Sequence, residues 1–282
     1  MKLRFWGTRG SIPSPGINTI KFGGNTTCVE LILDDKSVVV FDAGTGIRKL
    51  GNSIIQNGLN GVIHLFLTHS HWDHIQGFPF FLPAYNERVK IKIFGCPPAY
   101  NKLKEILTNQ MESSYFPINF HDLKATISFQ EIDEIEHRIG NAKLFFIRNN
   151  HPGAAYGFKV VDQNKSIVFI TDNELSNNKN CLYTTRNEFI KFCQGADILV
   201  HDAQYLEEEM VETTGFGHSS YEQAFSLGVA AKVKHLIFFH HEPDRSDIDI
   251  EAILAKYQRK RDQLKISMKL DAAQEGLSYE VK

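Results

Sequence analysis

Leu67-Thr68-His69-Ser70-His71-Trp72-Asp73-His74 decides how the chain reads. It follows Val62-Ile63-His64-Leu65-Phe66, a short apolar run that reads as a buried strand. Four candidate metal ligands then arrive at the carboxyl end of that strand. His, His, Asp and His all suit zinc or a similar divalent ion. Alternation sets His69 and His71 on one side, whereas Asp73 and His74 begin the next turn and face another way. One strand-to-helix loop can therefore feed two metals. A lone loop histidine is ordinarily just solvated, but four ligand types packed this tightly point to a metal site.

Three later apolar runs end the same way. Phe145-Phe146-Ile147 leads to Asn149-Asn150-His151, Val168-Phe169-Ile170-Thr171 to Asp172, and Leu236-Ile237-Phe238-Phe239 to His240-His241. Singly, each has a plain explanation, since a strand-end Asp is commonly a turn residue and a strand-end His is more often structural. Composition does not separate His240 from His241.

Bulk properties narrow the class. The hydrophobic fraction of 42% supports a full core. A formal net charge of −2 gives no support for nucleic-acid binding by a basic surface. Cys28, Cys96, Cys181 and Cys193 are far apart and form no CxxC pair, so they read as small buried hydrophobes in a reducing compartment. Met1 to Gly7 has no apolar leader, and no run is long enough to cross a bilayer. The expectation is a cytoplasmic protein with no membrane partner.

Along the chain, Lys2–Trp6 alternates as a first strand. Phe22-Gly23-Gly24-Asn25-Thr26-Thr27-Cys28 reads equally as a phosphate-contacting loop and as an ordinary turn before a strand. Val29–Leu33 and Val38–Phe41 are two strands joined by Asp34-Asp35-Lys36, and Ile47–Ile55 fits a helix. Ile75–Phe81 is expected to open a helix under the metal motif, and Pro97–Thr108 has helical spacing. Met111–Phe120 is a proline-broken aromatic loop. Ile127–Glu131, Lys143–Arg148, Tyr156–Val161 and Ser166–Ile170 read as strands. Without repeat or linker, residues 1–282 read as one domain, a sandwich of two sheets covered by helices.

The first stretch resembles the HxHxDH signature of the metallo-β-lactamase superfamily, and the resemblance extends over nearly the whole chain. It implies an α/β fold, the four-layer αβ/βα sandwich. It implies that His69, His71 and His151 hold one ion, that Asp73, His74 and His240 hold a second, and that Asp172 bridges them. Asp73 then counts as both ligand and catalytic residue, and His241 flanks the site near the substrate. The implied cofactor is two divalent ions, zinc first and manganese second. Asp42, in Asp42-Ala43-Gly44, is implied to steady the ligand loops.

Leu199-Val200-His201-Asp202-Ala203-Gln204 resembles the His-Glu-Ala-Thr motif of tRNase Z-like phosphodiesterases, with Asp202 in place of Glu. Gly217-His218-Ser219-Ser220 resembles their His-Ser-Thr motif. By that resemblance Asp202 orients His218, which protonates the leaving oxygen or binds phosphate, and Ser219 is a substrate contact. Ser219 or Ser220 also reads as the start of helix Tyr221–Ala231, with Glu222 available for a capping box. The RNA-processing members carry a long arm that clamps tRNA, and no such arm is visible here. Trp6-Gly7-Thr8-Arg9-Gly10-Ser11 and Gly23–Cys28, together with the metal motif, resemble cyclic-nucleotide phosphodiesterases of this fold. The anti-Pycsar enzymes, with which phages degrade the cyclic-nucleotide signals of host defence, are among these.

The resemblance thus implies hydrolysis of 3′,5′-cyclic nucleotides, with tRNA 3′-processing as the alternative. No stable nucleic-acid partner is expected. Asn25 and Tyr115 join Ser219 and His241 as candidate substrate contacts. Tyr115 lies in a loop too apolar to be left in water, and it is expected to reach the partner's pocket in a homodimer.

Overall fold

The computed structural model describes residues 1–58, 61–95, 100–132, 136–175 and 183–281, without the side chains of residues 100 and 101. Two seven-stranded sheets face each other. The first contains β1 (Lys2–Gly7), β2 (Cys28–Ile32), β3 (Val38–Phe41), β4 (Val62–Leu67), β5 (Lys90–Gly95), β6 (Thr126–Glu131) and β14 (Ser278–Glu280), in the order β14-β1-β2-β3-β4-β5-β6. The second contains β7 (Glu136–Ile139), β8 (Ala142–Arg148), β9 (Tyr156–Asp162), β10 (Lys165–Ile170), β11 (Ile198–Asp202), β12 (His235–Phe239) and β13 (Lys269–Ala272), in the order β13-β12-β11-β10-β9-β8-β7.

Phenylalanines fill the space between the sheets. Phe5, Phe41, Phe66, Phe158, Phe169 and Phe239 are buried there, and Phe41 stacks on both Phe158 and Phe169 at 5.2 and 5.3 Å. Fully burying one such ring contributes about 1.5–3 kcal/mol. The strands have two apolar faces because helices cover the outer side of each sheet. Helix α1 (Ile47–Gln56) buries Ile47, Leu50, Gly51 and Ile54, the i, i+3, i+4, i+7 stripe of a one-faced helix. It shares the first sheet's outer core with residues of α3 (Tyr100–Asn109). Helices α4 (Arg186–Cys193), α6 (Tyr221–Ala230) and α7 (Asp247–Gln263) cover the second sheet. The layers are therefore αβ/βα, as expected.

Strand direction places the site. β3 and β4 are parallel, as are β10, β11 and β12. β1 and β8 each lie one antiparallel strand away from a member of these sets and so run the same way. The carboxyl ends of these seven strands thus open on one edge of the sandwich.

Two expectations are corrected. Ile75–Phe81 is not a helix. α2 (Trp72–Ile75) stops after four residues, and two 3₁₀ turns follow, Phe78–Phe80 and Leu82–Tyr85. Pro79 and Pro83 sit at the second positions of those turns and cannot donate to a continued α-helix. The aromatic loop packs on its own chain, in keeping with its being too apolar to be left in water. Met111 and Phe120 are buried and Phe116 packs edge-on against Phe80 at 5.3 Å, which leaves Tyr115 exposed. Finally, the capping box of α6 uses Ser220 with Gln223, because the third helical position is Gln223. Glu222 pairs with Lys260 instead.

Cys28 and Cys193 are buried free thiols, and burial pushes the Cys193 thiol up to about 12. Cys96, Cys181 and the start of the expected Pro97–Thr108 helix lie outside the described residues. No described helix is long and apolar enough to cross a membrane.

Candidate functional site

The strand ends bring five histidines and two aspartates together. His69, His71 and His151 offer ligand atoms that all lie within 4.8 Å of one another, and so do Asp73, His74, Asp172 and His240. The carboxylate of Asp172 stands between the two sets. Its Oδ1 lies 3.7 Å from His69 Nε2 and 3.9 Å from His151 Nε2. Its Oδ2 lies 3.2 Å from His74 Nε2 and 3.4 Å from His240 Nε2. Asp73 Oδ2 is 3.1 Å from His74 Nε2 and 3.3 Å from His240 Nε2.

These spacings fit metal ions. Zn–N bonds of about 2.0–2.1 Å put the corners of a tetrahedron about 3.3 Å apart. His69 Nε2 is buried without a hydrogen-bond partner. A buried nitrogen aimed at other nitrogens and carboxylates is costly unless something binds it.

Each imidazole is oriented through its other nitrogen. His74 Nδ1 lies 2.8 Å from Asp42 Oδ2, and Asp42 also accepts the Thr68 N–H at 2.8 Å. The expectation for Asp42 matches this geometry. His151 Nδ1–H donates to Gly217 O at 3.0 Å. His240 Nδ1 meets Gln204 Oε1 at 3.0 Å. His71 is the exception, since it turns Nδ1 inward, 3.1 Å from His151 Nε2. Asp73 is steadied by the Ser11 N–H, which donates to Oδ2 at 2.9 Å. Asp42 and His240, each directly after a strand, and Asp172, two residues after one, all have φ between 53° and 64°. Left-handed backbone at a non-glycine residue costs of order 1–3 kcal/mol, and such strain concentrates at functional sites.

The two halves differ electrostatically. Burial pushes the His151 imidazole down to about 4 and lowers those of His69 and His71 as well. Burial also disfavours charge on His74 and His240. There the neighbouring carboxylates, Asp172 foremost, outweigh it and raise His240 to about 9. Burial pushes the Asp73 carboxyl up, but His74 and His240 more than compensate and hold it well below the usual carboxylate range.

His218 stands over both halves. Its ring stacks on His240 at 5.0 Å and meets His151 edge-on at 5.1 Å. Asp202 Oδ2 accepts from His218 Nδ1 at 2.7 Å, so the shorter side chain reaches it.

The candidate substrate contacts fare differently. Ser219 is buried, and its hydroxyl donates to Asn173 O and accepts from the Leu175 N–H. His241 is fully buried, with Nε2–H donating to Ala273 O at 2.9 Å. Asn25 donates through Nδ2 to Glu275 Oε2 at 2.9 Å. These polar atoms already have partners, and the structure does not bring the three side chains into the cluster. Tyr115 lies on the outer layer, in the loop whose Phe116 and Ile118 line a groove with Phe80 and Tyr85.

Reading the sequence missed the supporting groups Ser11, Gln204, Gly217 and Gly10. A Cβ on Gly10 would lie 2.5 Å from His240 Nδ1, so glycine lets that ring in. Gln204 was within view, two residues after Asp202, but nothing local reveals which histidine it meets.

The Beta-lactamase superfamily domain matches residues 38–241. Ribonuclease Z of Picrophilus torridus is 24% identical, over 88% of each chain. The metallo-beta-lactamase fold protein YhfI from Bacillus subtilis superposes with a TM-score of 0.69 at 16% identity, over 99% of each chain. A diphosphatase from the PhnP family gives 0.69 at 17%, over 100% of this chain and 98% of its own. The chain therefore belongs to the beta-lactamase superfamily, as a metal-dependent hydrolase of the metallo-β-lactamase fold with Ribonuclease Z among its relatives.

Proposed function

We propose that the protein is a dinuclear-metal phosphodiesterase that opens 3′,5′-cyclic nucleotides to nucleoside monophosphates. The observation that carries the two-ion reading is the Asp172 carboxylate, which turns one oxygen to each histidine set. His69, His71 and His151 would hold one ion, and Asp73, His74 and His240 the other. Zinc is the first expectation and manganese the second. Bound there, two ions lower the pKa of water and offset charge on phosphoryl oxygens.

The chain's own residues supply the rest. Hydrolysis forms a bond from water oxygen to phosphorus and breaks the bond from phosphorus to a ribose oxygen, which leaves needing a proton. His218 is the residue to deliver it from Nε2, because Asp202 holds Nδ1–H and stabilises the imidazolium. Trp72 follows His71 directly and Phe216 lies two residues before His218, and both are exposed. They offer faces on which a base can stack, worth about 1–3 kcal/mol. In a homodimer, the partner copy of Tyr115 would be a further contact. Such an enzyme could counteract cyclic-nucleotide defence signalling.

A second reading, tRNA 3′-processing, is favoured by the Ribonuclease Z relative aligned over most of both chains. One experiment separates them: metal-loaded protein incubated with cyclic mono- and dinucleotides and with precursor tRNA. Opening of cyclic mononucleotides supports the proposal. Cleavage of precursor tRNA alone transfers it to the second reading, and no cleavage of any phosphodiester overturns both.

A further inference from the structure

The turn Thr214–His218 carries His218 and, through the Gly217 carbonyl, orients His151. It is exposed at its tip, where Phe216 is 58% accessible, so packing alone does not hold it. A buried carboxylate does. Glu174 is 1% exposed, and its Oε2 accepts the N–H of Gly215 at 2.7 Å and of Gly217 at 3.2 Å. Both glycines have positive φ, 97° and 91°, which lets nearby N–H groups converge on one anion as a backbone nest.

The backbone of Glu174 makes a second connection. Its N–H donates to Asn150 O at 3.0 Å, in the loop that presents His151. The hydrogen bonds therefore close a ring. Glu174 Oε2 holds Gly217, Gly217 O receives His151 Nδ1–H, and the His151 loop returns to Glu174 through Asn150. Glu174 is also two residues beyond Asp172. The segments that present Asp172, His151 and His218 all meet at this one residue.

We infer that Glu174 is a positioning residue that sets the His151 ring for one metal ion and, through the same turn, sets His218 for proton delivery. It touches neither substrate nor ion. This rests on the two-ion reading above. One oxygen taking two N–H groups requires an acceptor at that depth, and the negative charge strengthens both bonds. Glutamine keeps an oxygen at the same reach, whereas aspartate withdraws it by about 1.5 Å, one carbon–carbon bond. Alanine removes it.

The test is zinc titration of the whole protein, with each ion's affinity resolved, on Glu174→Gln, Glu174→Asp and Glu174→Ala. Lost orientation of a ligand typically costs 10–100-fold in metal affinity. Glu174→Asp and Glu174→Ala should weaken one of the two ions by about that factor and leave the other unchanged, while Glu174→Gln retains both. In the same variants, turnover of an alkyl-leaving-group diester should fall further than that of a nitrophenyl diester. Equal weakening of both ions would point to general structural damage and overturn the inference. So would unchanged affinities, or a Glu174→Gln protein that behaves like Glu174→Asp. If Glu174→Ala fails to fold, the Gln and Asp pair still decides. A wild type that binds fewer than two ions would instead overturn the two-ion reading itself.

Discussion

Asp202 Oδ2 lies 2.7 Å from His218 Nδ1 and also accepts the backbone N–H of Asp172 at 3.0 Å. The candidate acid and the candidate bridging ligand thus share one buried carboxylate. His218→Ala should slow turnover by about 10²–10⁴ while metal content stays intact. A nitrophenyl leaving group needs less protonation and should lose less. Equal losses on both substrates would make His218 a phosphate-binding group and not a proton donor.

Asp172→Ala removes a carboxylate that faces both histidine sets. Both ions should be weakened and nearly all activity lost. Metal analysis under saturating zinc or manganese reads this directly. A variant that retains both ions at wild-type affinity contradicts the bridging role.

Two glycines address the halves separately. A Cβ at Gly10 would fall 2.5 Å from His240 Nδ1, and one at Gly217 would fall 2.3 Å from His151 Nδ1. Gly10→Ala is expected to weaken the ion of Asp73, His74 and His240. Gly217→Ala is expected to weaken the ion of His69, His71 and His151, with added backbone strain because φ there is 91°. Ion-resolved titration of the two variants should give opposite patterns, and matching patterns would break the assignment of ligands to ions.

Stability should fall in mild acid through His64. Burial foremost, then Lys92 and His137, push its imidazole down to about 4 from 6.5. The folded state keeps it neutral while the unfolded state takes up a proton. Stability is therefore undiminished above about 6.5 and declines as pH falls toward about 4. Urea midpoints measured from pH 7 to pH 5 should drop less steeply in His64→Gln than in the wild type. An identical slope would exclude His64 as a source.

Tyr115 is 78% exposed and Trp72 81%. If Trp72 stacks the base, Trp72→Ala should raise KM for cyclic nucleotides about 5- to 150-fold, the equivalent of 1–3 kcal/mol. Tyr115→Ala should do the same only if the protein sediments as a dimer. A monomer with an unaltered Tyr115→Ala variant leaves Tyr115 as a surface residue.

Much of the site was legible before any coordinates. The ligand types are chemically distinctive, and each follows an apolar run whose length and β-branching mark a strand. His69, His71, Asp73 and His74 announce themselves within one loop. Resemblance to the superfamily's order of ligands supplied His151, Asp172 and His240. The two-sheet architecture was equally readable, since strands such as β4 and β10 are apolar on both faces. The short helix after the metal motif was misjudged because Pro79 and Pro83 act against a favourable apolar pattern.

What the sequence by itself determined is the set of groups and the strand ends that carry them. Only the tertiary structure decided how each group is used. Ser11 reaches Asp73 across 62 residues, and Gly217 reaches His151 across 66. His240 enters the cluster while its neighbour His241 turns to Ala273. Ser219 and Asn25 are occupied by Asn173 and Glu275. Hydrophobic period and ligand chemistry are local properties, written in consecutive residues. The partner of a buried donor or acceptor is set by which strand ends the packed sheets bring together, and adjacent residues on one chain carry no record of that.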